Sequence, residues 1–285
     1  MLSIVILAGG FGERLWPASS FSFPKQFMSL KDGLSFFQQA LQRAVLLSCV
    51  EGSYEGDNLP IMVITRVSIF SETIEQCVNF AESLNTNIRE HFLKKLIVIA
   101  EPYARHTTAP LAFACRYMQA FYLDNNRPEM PILTLTSDHI IEPFDTFFEN
   151  VKIAVKQAKK GRFICFAIPP VEAATGFGYI KEGVHIEKGV FKIDSFKEKP
   201  DAKTAQFYLE SGSYYWNSGM FCFLPSVFMH ELKLYAPDIE QHFSEGMTCA
   251  KTEIVYIKGI KTIKSLVYME NAYMNIPALP IDVAI

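Results

Sequence analysis

The residues best suited to chemistry come early. From position 7 the chain reads Leu7-Ala8-Gly9-Gly10-Phe11-Gly12-Glu13-Arg14-Leu15-Trp16-Pro17, and Pro24-Lys25-Gln26-Phe27 follows. A glycine-rich turn lets backbone N–H groups approach a phosphate closely, because no Cβ intervenes. Arg14 and Lys25 flank this turn, and two cations there suit a triphosphate. Two common phosphate loops do not fit. The pattern G-x-x-x-x-G-K-[ST] has no match, and in G-x-G-x-x-G the third glycine would fall on Leu15. Further along, Thr136-Ser137-Asp138-His139 offers a carboxylate for a hard cation such as Mg²⁺. Glu198-Lys199-Pro200 sets an acceptor-only carboxylate beside a compact positive charge. The six histidines form no H-x-x-x-H pair and the six cysteines no C-x-x-C, so zinc is disfavoured against a hard cation on carboxylates. The cysteines read as free thiols buried in a reducing cytoplasm.

These residues need strands and helices to position them, and the chain alternates the two. Residues 3–7, 61–65, 96–100, 132–136 and 163–168 are short apolar strands. Residues 34–47 carry Phe37, Leu41, Ala44 and Val45 on one helical face; 69–84, 110–123 and 144–159 are also expected to be helices. Such alternation implies an α/β fold with a mainly parallel sheet covered on both faces. Parallel sheets bind ligands at the carboxyl ends of their strands. Gly9-Gly10, Thr65, Glu101 and Asp138 all fall at those ends. Thr107 or Thr108 would cap the helix that contains Pro110. Beyond Pro170 the texture changes. Residues 176–180, 190–198 and 214–223 are short and glycine-punctuated, and suggest a mixed or antiparallel extension. Residues 51–58 read as an exposed loop, and no repeat or linker interrupts the chain.

Composition narrows the function classes. The 285 residues are 49% hydrophobic and 20% charged, with a net charge of −3. That supports one large globular domain, 1–285, and argues against disorder. A mildly acidic chain is a poor sequence-independent nucleic-acid binder. No apolar run approaches the length of a membrane span, and the apolar start lacks the basic residues of a secretion signal.

The pattern G-G-x-G-E-R-L-W-P-x-S followed by P-K-Q-F resembles the signature of the sugar-nucleotide pyrophosphorylases, most of all the guanylyltransferases acting on mannose 1-phosphate. Other segments follow in the family's order: 101–110 resembles E-P-x-x-R-N-T-A-P, 176–180 resembles G-Y-G-Y-I, 196–200 resembles F-V-E-K-P, 216–221 matches W-N-S-G-M-F, and 281–284 resembles I-D-Y-A. The resemblance runs from Leu7 to Ala284. It implies a Rossmann-like nucleotidyltransferase fold of the glycosyltransferase-A type, with a nucleotide-binding half (1–170) and a sugar-phosphate-binding half (171–285). By resemblance, Leu7, Ala8, Gly9, Gly10, Gly12, Glu13, Arg14, Lys25, Thr107 and Pro110 bind the nucleotide. Gly178, Glu198, Lys199 and Asn217 bind the sugar phosphate, Asp138 and Asp282 hold Mg²⁺ or another divalent cation, and Arg14, Lys25, Asp138 and Lys199 are the catalytic set.

The implied reaction is GTP plus mannose 1-phosphate giving GDP-mannose and pyrophosphate, for polysaccharide synthesis in the cytoplasm, with no nucleic-acid or membrane partner and with room for a homodimer. Several positions depart from the family pattern: Phe11, Ser20, His106 for asparagine, Lys197 for valine, Pro280 for serine and Val283 for tyrosine. The sequence stops three residues after Asp282, where relatives continue and some carry a sugar-phosphate isomerase domain. The chain is therefore expected to be truncated at its C-terminus. Two alternatives stay open: a thymidylyl- or uridylyltransferase acting on glucose 1-phosphate, and a non-catalytic nucleotide-sugar sensor. A dinucleotide-binding dehydrogenase is disfavoured by the missing third glycine.

Overall fold

The computed structural model describes residues 2–10, 24–29, 33–50, 59–249, 254–263 and 270–285. The chain forms two compact units, Met1–Phe163 with Cys222–Ile285, and Ile164–Phe221. The second is an insertion in the first, and the last part of the chain packs with the first.

In the larger unit, β1 (Ser3–Leu7) lies between β2 (Ile61–Arg66) and β4 (Ile132–Thr136), parallel to both. Outside β2 comes β3 (Leu96–Glu101), also parallel, with Arg66 in register with Glu101. β10 (Ile260–Ile263) continues the parallel run, and β9 (Ile254–Ile257) turns back against it. On the other flank Cys222 and Phe223, the end of β8 (Tyr214–Phe223), pair antiparallel with β4. Ile4, Val5 and Ile6 are all fully buried. Successive strand residues face opposite sides, so burial of all three means that both faces of the sheet are covered.

The cover comes from two groups of packed helices. One is α1 (Phe36–Val45), α2 (Phe70–Ser83) and α3 (Thr86–Lys95). The other is α4 (Thr108–Asp124), α7 (Pro225–Tyr235), α8 (Pro237–Cys249) and α9 (Glu270–Asn275). α5 (Phe144–Ala158) and the short α10 (Ile281–Ala284) also belong to this unit. α1 begins with a capping box, in which the Ser35 hydroxyl accepts from Gln38 N–H and the Gln38 side chain accepts from Ser35 N–H. Among the described residues, no helix is long and apolar enough to cross a membrane.

The smaller unit contains β5 (Ile164–Ile168), β6 (Tyr179–Glu187), β7 (Val190–Lys197), α6 (Ala202–Ser211) and the first part of β8. β6 pairs antiparallel with β7 on one side and with β8 on the other, and β5 also pairs with β8. This is the antiparallel extension expected after Pro170. The expected strands and helices of the first 168 residues are present with small shifts at their ends. α3, α6, α7, α8, α9, α10, β9 and β10 are further elements that the hydrophobic pattern does not mark. The segment 51–58 lies outside the described residues.

Candidate nucleotide and sugar-phosphate sites

Three parallel strands of the larger unit end on polar groups, and a short helical turn is tied to the first of them. Ala8 N–H donates to Ile64 O at 2.8 Å and so completes the strand ladder. The Ala8 amide is therefore committed to the sheet. The carbonyls of the turn are held from behind. The buried Gln26 donates its amide to Ala8 O at 3.0 Å and to Gly10 O at 3.2 Å, and Arg66 donates to Gly10 O at 3.5 Å. Gln26 is one residue whose role the sequence does not reveal, although it stands within Pro-Lys-Gln-Phe. Gly12, Glu13 and Arg14, with Phe11, lie outside the described residues.

Lys25 occupies the first position of the turn Lys25–Phe27, and its ammonium lies 3.4 Å from the Asp138 carboxylate and over the Phe36 ring. The two expected site residues are thus brought together across 113 positions of chain. Their side chains are 29% and 41% exposed, and an ion pair this open contributes about 1 kcal/mol or less. Either partner can therefore turn to a ligand at little cost.

Behind them sits a residue that the sequence reading did not single out. Arg43 of α1 is buried and donates to His139 O at 2.9 Å, bracing the turn that carries Asp138. Burial lowers the Arg43 pKa to about 10, which leaves it a cation at neutral pH. Burial also holds His139 below the ordinary histidine range, against the pull of Asp138. The available signal for Arg43 was an arginine among Ala40, Leu41 and Ala44, on the face of α1 that packs inward.

At the end of β3, Glu101 is buried beside Gly9, with its carboxylate 3.5 Å from where a Cβ on Gly9 would stand. Burial pushes the Glu101 pKa up to about 8, opposed by the hydrogen bond from the Tyr273 hydroxyl and by the Arg66 charge. Polar groups of the following loop engage the segment before α10. Arg105 donates to Tyr273 O at 3.2 Å and to Met274 O. Thr108 donates its hydroxyl to Leu279 O at 2.6 Å, and Thr107 accepts from Ile281 N–H at 2.8 Å.

The expected threonine cap of α4 is therefore a correction. Thr107 stands at the N-cap position with helical dihedrals and makes no side-chain cap bond, because both hydroxyls are already used across the fold. Pro110 is buried in the first turn of α4. His106 has a positive φ of 56°, a conformation that asparagine adopts more readily than histidine.

In the smaller unit the four expected sugar-phosphate residues converge. Asn217 N–H donates to Gly178 O at 2.8 Å. A Cβ on Gly178 would meet Glu198 Oε2 at 2.8 Å and the Phe196 ring at 2.9 Å, so only glycine allows the carboxylate this close. Lys199 lies 3.0 Å from Glu198 and has a positive φ of 40°. Strained backbone of this kind persists where surrounding structure enforces it. Asn217 Oδ1 accepts from Gly219 N–H at 3.0 Å and lies 3.2 Å from the Cys165 thiol. Its oxygen is thus engaged within the protein.

Asp282 is half-buried in the first turn of α10. Among the described residues, no group of three or more histidine, cysteine, aspartate or glutamate side chains gathers. Mg²⁺ needs only one or two protein carboxylates, with phosphates and waters supplying the rest. The open Asp138 carboxylate at a strand end fits that demand.

A mainly parallel sheet with polar residues at its strand ends defines an α/β protein whose ligand edge lies at those ends. The family profile described as nucleotidyl transferase matches residues 3–259, and the chain belongs to that family. It is 36% identical over 237 residues to the alginate biosynthesis protein AlgA of Pseudomonas syringae, covering 82% of this chain and 44% of that protein. It is 33% identical over 283 residues to mannose-1-phosphate guanylyltransferase RfbM of Salmonella typhimurium, covering 99% and 52% respectively. The chain spans about half the length of the curated relatives it matches. Among solved structures, a mannose-1-phosphate geranyltransferase from Thermus thermophilus aligns over 100% of this chain and 70% of its own, with a TM-score of 0.75 and 22% identity. A mannose-6-phosphate isomerase from Helicobacter pylori aligns over 100% and 93%, with a TM-score of 0.74 and 22% identity. These structures share the fold.

Proposed function

We propose that this chain transfers GMP from GTP to mannose 1-phosphate, giving GDP-mannose and pyrophosphate. The observation that carries the reading is its family membership with relatives named mannose-1-phosphate guanylyltransferase, at 31–34% identity over 89–99% of this chain. The side chains support it. Gly9 and Gly10 at the end of β1, with Lys25 on the turn that Gln26 ties to them, suit a triphosphate, and Arg14 would add a second cation. Glu198 and Lys199 offer an acceptor and a positive charge beside Gly178 and Asn217, as a sugar phosphate requires.

A phosphate monoester has its second pKa near 6, so the nucleophile is mostly dianionic at pH 7 and needs no general base. Its oxygen attacks the α-phosphorus in line, and the bond to the pyrophosphate oxygen breaks on the opposite side. The obstacle is repulsion between anions. Lys25 and Arg14 offset the charge of the triphosphate, and Lys199 that of the sugar phosphate. The contribution is positioning and electrostatic stabilisation. Mg²⁺ on Asp138 and Asp282 would supply further charge neutralisation at the phosphates when bound.

The test is pyrophosphate release from the purified chain with a panel of nucleotides and sugar 1-phosphates, with and without chelator. Release dependent on GTP and mannose 1-phosphate together, and abolished by chelator, is expected. Preference for dTTP or UTP with glucose 1-phosphate would reassign the substrates, and no release with any pair would remove the catalytic reading.

A further inference from the structure

We propose that Thr107 is a positioning residue for Asp282, acting as a helix cap supplied from a distant part of the chain. The inference rests on the reading of Asp282 as a ligand of the divalent cation. A helix leaves its first N–H groups without partners, and a serine, threonine, aspartate or asparagine just before the helix normally accepts from them. Before α10 that position holds Pro280, which has no side-chain acceptor and makes no cap bond. The unmet donor is Ile281 N–H, and it finds the Thr107 hydroxyl oxygen at 2.8 Å, 174 positions away in sequence. Thr107 stands at the N-cap position of α4 and makes no cap bond there. Its hydroxyl serves the other helix.

The bond does not stand alone. Thr108 grips the residue before Pro280 twice, with its hydroxyl on Leu279 O at 2.6 Å and its N–H on the same oxygen at 3.3 Å. Arg105 holds Tyr273 O and Met274 O, and Tyr273 donates to Glu101. The loop from 101 to 108 is thus a clasp on the segment from 273 to 281. Asp282 comes immediately after the last bond of that clasp. α10 has only four residues and cannot fix its own orientation by length. The backbone that carries Asp282 is therefore placed by Thr107 and Thr108.

The experiment measures Mn²⁺ affinity by electron paramagnetic resonance, in the presence of GTP and without sugar phosphate, alongside thermal melting. The variants are T107V, which keeps the shape and removes the acceptor, T107S, which restores it, and D282N as reference. Loss of a group that orients a metal ligand weakens affinity by about tenfold or more. T107V is expected to show that loss, T107S to bind Mn²⁺ like the wild type, and D282N to lose at least as much as T107V. If D282N binds Mn²⁺ like the wild type, the ligand reading and this inference both fall. If D282N weakens binding and T107V melts earlier yet binds Mn²⁺ normally, the ligand reading stands and Thr107 is merely structural. Should T107V not fold, T108V probes the neighbouring bond with the same readout, and unchanged Mn²⁺ affinity there overturns the clasp.

Discussion

Replacing Gly178 by alanine adds one methyl group beside the carboxylate read as the sugar ligand. That methyl would stand 2.8 Å from Glu198 Oε2 and 2.9 Å from two Phe196 ring carbons. Ordinary carbon–carbon contact begins near 3.5 Å, so the overlap with the ring is about 0.6 Å. Both neighbours must move. The Glu198 carboxylate is the end of a flexible chain and shifts readily, whereas the Phe196 ring is borne on β7, which is paired with β6. Overpacking of this kind costs about 1–3 kcal/mol of stability. The larger effect falls on substrate. A hydrogen bond to a charged group contributes about 1.5–3 kcal/mol, so a displaced Glu198 raises the KM for sugar phosphate by about 10- to 150-fold. Steady-state pyrophosphate release with each substrate varied in turn separates the two KM values. In an E198A background the further loss from G178A should shrink to the part due to Phe196. A G178A enzyme whose KM for GTP rises as much as that for sugar phosphate, or which keeps wild-type values, would refute the reasoning.

Three other outcomes follow from the larger unit. D138N should lose most turnover while melting like the wild type, and full activity would remove Asp138 from the metal site. R43M deletes the donor to His139 O and should lower stability by about 1.5–3 kcal/mol in urea unfolding together with kcat, with R43K intermediate; an unchanged kcat would show that Arg43 does not brace Asp138. Glu101 has its folded pKa raised from 4.5 to about 8 by burial, so the stability it lends is full below about pH 4.5 and is lost as pH rises toward 8. E101Q should flatten that decline, whose upper limit is about 5 kcal/mol, and equal slopes of urea midpoint against pH in both proteins would contradict it.

The strand ends could be read from sequence because their signal is local. An apolar run such as Ile4-Val5-Ile6 stops at glycine whatever surrounds it, and Asp138 follows its strand directly. The sugar-phosphate residues became visible only as a series, since Glu198-Lys199-Pro200 alone is an ordinary turn. What stayed hidden depends on partners far away in sequence. The roles of Thr107 and Thr108 are decided by Leu279 and Ile281, and that of Arg43 by His139. A local rule placed the threonines as caps of α4 because it could not know that their hydroxyls were already committed. α3 and α6 were open to a closer reading. Asn85 and Asp201 stand at their N-caps, and each side chain accepts the expected N–H, from Ile88 and Thr204.

Phe163, the last residue before the inserted unit, stacks on Phe223, just after the chain returns, with ring centroids 4.7 Å apart and planes 7° from parallel. The exit and re-entry points are therefore neighbours, locked by rings that belong to the larger unit alone. An insertion whose two ends meet is a cassette: it can be cut out and the gap closed with a few flexible residues, without stretching the host. The remaining sheet should then fold and melt as one body.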